Sequence, residues 1–97
     1  MTKIKTSPFD PAKYLVDDEA VAEYLTSIME EDDPGLLAAA LGDIARARGM
    51  TQIAKDAGIG REALYKALRP DSRPQYDTIK RVCHALGLRV VLKPVAR

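Results

Sequence analysis

Apolar residues recur along this chain at helical spacing. In "DDEAVAEYLTSIMEE", Val21, Tyr24, Leu25 and Ile28 fall at i, i+3, i+4 and i+7. That is one stripe of a 3.6-residue period, and Asp17, Asp18 and Glu19 stand where carboxylates favour the positive end of a helix. "DDPGLLAAALGDIARARG" opens with Asp33 as N-cap and Pro34 in the first turn, and carries Leu37, Leu41 and Ile44 on one face. It closes with Arg46 and Arg48 before Gly49, the expected cationic end. Thr51 is the expected N-cap of a short third helix with Ile53, Ala54 and Ala57 inward, and Gly58 stops it. Leu64 and Leu68 give a fourth short helix its buried face before "PDSRP" breaks the chain. In "QYDTIKRVCHALG", Ile79, Val82, Cys83 and Leu86 repeat the stripe and Gly87 ends a fifth helix.

The two ends depart from this period. "TKIKTSPFDPAKYL", with alternating lysines, Pro8 and Pro11, predicts an extended arm or short edge strand. "LRVVLKPV" is rich in β-branched residues and predicts a strand ended by Pro94. Such a strand needs a partner: the N-terminal arm, its twin in a dimer and a partner chain's sheet edge all qualify. The expected fold class is therefore mainly all-α, five helices with a short C-terminal β-strand, as an arm over 1–16 and one domain over 17–97.

A length of 97 residues allows one modest core, and 46% hydrophobic with 30% charged residues excludes wholesale disorder. One cysteine and one histidine, Cys83 and His84, are too few for a disulfide or a structural zinc site, so a reducing compartment and no metal are expected. No apolar run approaches the roughly 20 residues of a membrane span, and the N-terminus lacks the apolar core of a secretory signal. The cytoplasm is expected. The net charge of +1 hides an asymmetry. Residues 1–48 carry 5 Lys/Arg against 10 Asp/Glu, a balance of −5, while residues 49–97 carry 10 against 4, a balance of +6. A polyanion-binding face on the second half is implied.

The break at Gly58-Ile59-Gly60 fits that face. Ala54, Gly58 and Leu64 have the spacing of a helix-turn-helix over 51–68: a small residue for close approach, a glycine for the turn, Ile59 as a plug and Leu64 as an anchor. With Leu64 and Leu68 inward, Arg61, Glu62, Tyr65 and Lys66 face outward as base-contact candidates in a major groove. Thr51, Gln52, Arg69 and Arg73 are the phosphate-contact candidates. The bland alternative is an αα-hairpin in a helical bundle. Cys83 lies on an apolar stripe and is expected to pack as a small hydrophobe; His84 is expected at the helix surface. The run Glu30 to Asp33 is expected as a solvated loop, or else as a docking site for a basic partner. No catalytic constellation or phosphate-cradling glycine loop is present, so a non-enzyme without cofactor is expected.

From "FDPAKYL" through "LLAAALGDIARARGMTQIAKDAGIGREALYKAL" to "YDTIKRVCHALGLRV", nearly the whole chain resembles the addiction-module antidote proteins, the HigA-like antitoxins of toxin-antitoxin pairs. The resemblance implies a five-helix, lambda-repressor-like domain of the Cro/C1-type helix-turn-helix class. It implies neutralisation of a RelE/ParE-superfamily toxin and repression of its own operon. Ala54, Gly58 and Leu64 fall on the fold-determining positions of that class, and Arg61, Glu62, Tyr65 and Lys66 where such proteins read bases. Two positions depart from it. Met50 stands where glutamine commonly opens the third helix, with Gln52 two residues later, and Gly60 stands at a cap where serine or threonine is common. The expected function is a homodimeric antitoxin and autorepressor on an inverted-repeat operator in double-stranded DNA. The alternatives are a toxin-neutralising module with weak or lost DNA binding, and a prophage regulator without a toxin partner.

Overall fold

The structure is a computed structural model that describes residues 17–96. The N-terminal arm expected over 1–16 lies outside the described residues. The described chain forms five helices: α1 Asp18–Met29, α2 Pro34–Arg48, α3 Met50–Ala57, α4 Arg61–Ala67 and α5 Tyr76–Ala85.

Local chemistry sets the first two helices. Asp17 caps α1 by accepting from the Glu19 and Ala20 amides at 2.9 and 3.3 Å. Asp33 caps α2 in the same way, accepting from the Gly35 and Leu36 amides at 3.0 and 3.2 Å, with Pro34 in the first turn. Each cap satisfies donors that no helical carbonyl can reach. The acidic residues 30–33 are exposed in the turn between these helices.

The third helix starts two residues earlier than its N-cap signal suggests. Thr51 is not a cap: α3 begins at Met50, and the cap position is Gly49 at φ 108°, with no side-chain cap bond. Met50 is 5% exposed within the core. Burying its side chain draws residue 50 into the helix, and glycine supplies the left-handed φ which that entry requires.

The apolar stripes converge on one cluster drawn from all five helices, including Val21, Leu41, Ile53, Leu64 and Val82, with Leu68 and Leu86 at the ends of α4 and α5. Burying a side chain such as Leu41 or Leu64 contributes about 1.5–3 kcal/mol. In the packing order, α1 lies on α2, α2 on α3, and α3 on both α4 and α5. Ile79 and Tyr24 pack partly buried against this core. Arg48 ties its periphery together, pairing with Asp18 at 3.1 Å and donating to the Leu86 carbonyl at 3.4 Å.

The expected C-terminal strand is not formed among the described residues; residues 88–96 carry no sheet pairing. Leu88 donates to the Cys83 carbonyl at 2.8 Å, and Leu88 and Val90 pack partly buried against the core. Val91, Leu92 and Val95 are then 61%, 98% and 76% exposed. β-branched residues favour an extended backbone, but a strand is defined by a ladder, and no described residue supplies the second rail.

Candidate nucleic-acid interface

The turn between α3 and α4 closes by a double hydrogen bond. The Ile59 amide reaches back to the Ala54 carbonyl at 3.0 Å and the Gly58 amide to the Lys55 carbonyl at 3.2 Å. This is the Schellman arrangement, and it needs a left-handed residue, which Gly58 supplies at φ 70°, ψ 32°. Ile59 packs partly buried against the core. Gly60 is the extended cap of α4, and its carbonyl accepts from the Leu64 amide at 2.9 Å.

That turn orients α4 so that Leu64 and Leu68 are fully buried while Arg61, Glu62, Tyr65 and Lys66 are exposed. Two of the outward residues form one unit: the Arg61 guanidinium carbon sits 5.3 Å from the Tyr65 ring centroid, and its Nη2 donates to the Tyr65 hydroxyl at 3.5 Å. This contact uses one of the five guanidinium N–H donors and leaves the others for a guanine edge or a phosphate.

Of the phosphate-contact candidates, Arg73 of the loop after α4 lines one open hollow, together with Lys66 of the base-contact set, Ser72 and Gln75. Ser72 fastens that loop by donating its hydroxyl to the Ala67 carbonyl at the end of α4. Arg69 is exposed just beyond α4. Thr51 and Gln52 are exposed on the first turn of α3, where Gln52 is committed along its own helix, donating to Asp56 at 2.9 Å. Among the described residues no hydrogen bond, ion pair or ring contact joins Thr51 or Gln52 to Arg69 or Arg73.

Two residues outside those candidates shape the region. Tyr76, the first residue of α5, is 61% exposed; its spacing of three to Ile79 and seven to Cys83 continues the apolar stripe of that helix, so periodicity gives no signal of its exposure. Arg81 pairs with Asp77 at 3.0 Å and donates to the Gly58 carbonyl at 3.4 Å, bracing the turn from α5. The Asp77/Arg81 i,i+4 spacing was legible, but the reach to Gly58 is tertiary. Cys83 is buried, and burial pushes its thiol up from 9.0 to about 11, which keeps it protonated as a packing group. No described helix is long and apolar enough to cross a membrane.

A protein of Haemophilus influenzae described as uncharacterized is 51% identical to this chain over 81 residues, covering 84% of each. No solved structure gives a significant match. The family model described as "Probable addiction module antidote protein" matches residues 5–94, all five helices included. The chain thus belongs to the addiction-module antidote family, whose members imply a toxin partner.

Proposed function

We propose that this antidote is the protein antitoxin of a type II pair, countering a RelE/ParE-superfamily toxin, and that it also binds double-stranded DNA through a helix-turn-helix to repress its own operon. The observation that carries DNA binding is the division of α4: Leu64 and Leu68 at 0% exposure, with Arg61, Glu62, Tyr65 and Lys66 all outward. A helix anchored that firmly on one side presents a rigid polar edge on the other, as entry into a major groove requires. The charge of +6 over residues 49–97 supports the same face, since phosphate neutralisation supplies most sequence-independent affinity. Arg61 and Lys66 suit guanine, Glu62 a cytosine amino group and Tyr65 a thymine methyl or a phosphate, while Arg69 and Arg73 hold backbone. The protein acts as a binding module rather than an enzyme.

A seven-residue helix reads only a few base pairs, so useful specificity calls for a homodimer with half-sites about 34–36 Å apart. Selection of bound duplexes from a random library at physiological salt tests this directly. Enrichment of an inverted repeat with that spacing is expected. Recovery of random DNA alone would overturn sequence-specific repression and leave toxin neutralisation as the function.

A further inference from the structure

A groove of ≈ 300 Å³ lies between the end of α3, one side of α5 and the extended residues 88–90, and it shares no residue with the base-contact candidates on α4. Ala57, Leu88 and Val90 supply its apolar lining. Around them stand Lys80, Arg81, His84 and Arg89, against Asp56 and Asp77. Both carboxylates are already engaged, Asp56 by Gln52 at 2.9 Å and Asp77 by Arg81 at 3.0 Å. Lys80 and Arg89 make no ion pair among the described residues. Lys80, Arg81 and Arg89 outnumber Asp56 and Asp77 by one, so the rim carries a net positive charge with Lys80 and Arg89 as its outlying cations.

One wall of this groove is a main-chain edge that no described residue pairs. Beyond the Leu88 amide, no described residue hydrogen-bonds to the backbone of residues 89–96. Burial alternates along it: Leu88 and Val90 are partly buried, while Arg89 and Val91 are exposed. That is the period of a strand, and it puts Leu92 on the same side as Leu88 and Val90, yet Leu92 is 98% exposed. An apolar face begins on the core and runs on with no described residue covering it.

We infer that this groove and its extended wall are the docking site for an extended acidic segment of the toxin, which adds as a strand beside residues 88–93 and sets alternate side chains between the tail and α5. The inference rests on the antidote reading. Main-chain pairing supplies affinity in such a mode, and pockets for alternate side chains supply selectivity. Charge complementarity identifies the occupant: carboxylates match Lys80 and Arg89, and apolar side chains match Ala57, Leu88 and Val90. This chain offers no equivalent segment. Residues 1–16 carry Lys3, Lys5 and Lys13 against Asp10, the wrong sign. The acidic run at 30–33 is held in the α1–α2 turn, where Asp33 caps a helix. A second copy's tail, paired antiparallel about Val91, would set Arg89 opposite Lys93, and like charges directly opposed repel.

The test titrates the isotope-labelled full chain by nuclear magnetic resonance with an alternating glutamate-valine peptide and with its lysine-valine counterpart. Saturable shifts at residues 88–93 and along α5 are expected with the acidic peptide alone. The double substitution Lys80→Glu, Arg89→Glu, at two exposed positions, should weaken binding at least ten-fold. No shift at millimolar peptide, equal binding of the basic peptide, or a free protein that is dimeric through protected tail amides would each overturn the inference. In cells co-expressing the module's toxin, the double variant should lose protection that the wild-type chain gives. Protection retained by the variant overturns the docking site, whereas no protection by the wild type overturns the antidote reading instead.

Discussion

Adding one methyl group at Gly42 probes the close contact between α2 and the end of α4. A Cβ at that position would stand 2.8 Å from the Leu68 carbonyl oxygen and 3.3 and 3.4 Å from the two terminal nitrogens of Arg46. Arg46 is exposed and can swing away; the carbonyl is backbone, fixed by a Leu68 side chain that is fully buried. Two effects of opposite sign compete. Alanine over glycine in a helix interior gains about 1 kcal/mol. Forcing two backbones apart by several tenths of an ångström in a packed core costs about 1–3 kcal/mol, and here the retreat also loosens Leu68. The steric term wins, leaving Gly42→Ala about 1 kcal/mol less stable. For a domain of this size that lowers Tm by roughly 4–8 °C, read by thermal unfolding followed by circular dichroism. Gly35→Ala meets the same stretch of chain, with its Cβ 2.9 Å from the Pro70 carbonyl. A single shift of residues 68–70 relieves both clashes, so the double variant should lose less than the two single losses added. A Tm for Gly42→Ala equal to or above that of the unaltered protein would refute this packing.

Leu64→Ala, at a fully buried position, should cost about 2–5 kcal/mol and at least about 10 °C of Tm, while Tyr65→Ala next to it should stay within about 1 kcal/mol and weaken operator binding in a gel-shift assay. Gly58→Ala places a Cβ at φ 70° and should lose roughly 1–2 kcal/mol, with Gly58→Asn losing less, by denaturant titration. Because burial raises the Cys83 thiol to about 11, the folded state holds its proton longer than the unfolded chain. Its contribution to stability is whole below pH 9 and is lost as pH rises towards about 11, and Cys83→Ala should remove that loss from unfolding curves measured across this window.

The helices were legible because their signals are local. A 3.6-residue stripe needs only neighbours, and the Asp33 cap, the Gly58 stop and the outward side of α4 follow from residues within one turn of each other. Where a local signal met a tertiary demand, the tertiary demand prevailed. Thr51 is a sound N-cap by chemistry, but Met50 belongs in the core, so the helix begins there. "LRVVLKPV" has real extended preference, and Leu88 to Val91 do alternate, yet pairing depends on a second segment that no propensity specifies. The Arg48 tie spans 30 residues to Asp18 and 38 to Leu86, and the groove joins Ala57, Lys80 and Arg89 from three parts of the chain. No spacing rule reaches that far.

Arg81 touches both the groove and the turn that aims α4, and so bounds how strongly the two surfaces can communicate. It lines the groove, pairs with Asp77 and donates to the Gly58 carbonyl. Its side chain is 50% exposed and that of Asp77 70%, an i,i+4 pair in solvent worth about 0.3–0.5 kcal/mol. The bond to Gly58, at 3.4 Å, is beyond the usual N–H···O range and adds little more. A segment in the groove that captured Arg81 completely would thus bias the turn by about 1 kcal/mol at most, roughly a five-fold change in DNA affinity, and reciprocity sets the same ceiling on the effect of DNA upon the groove. Operator affinity measured with and without saturating acidic peptide should differ by less than about five-fold, and Arg81→Ala should shrink even that difference. A change of a hundred-fold would require α4 to move as a body against its Leu64 and Leu68 anchors, a displacement that the packing of those two side chains opposes.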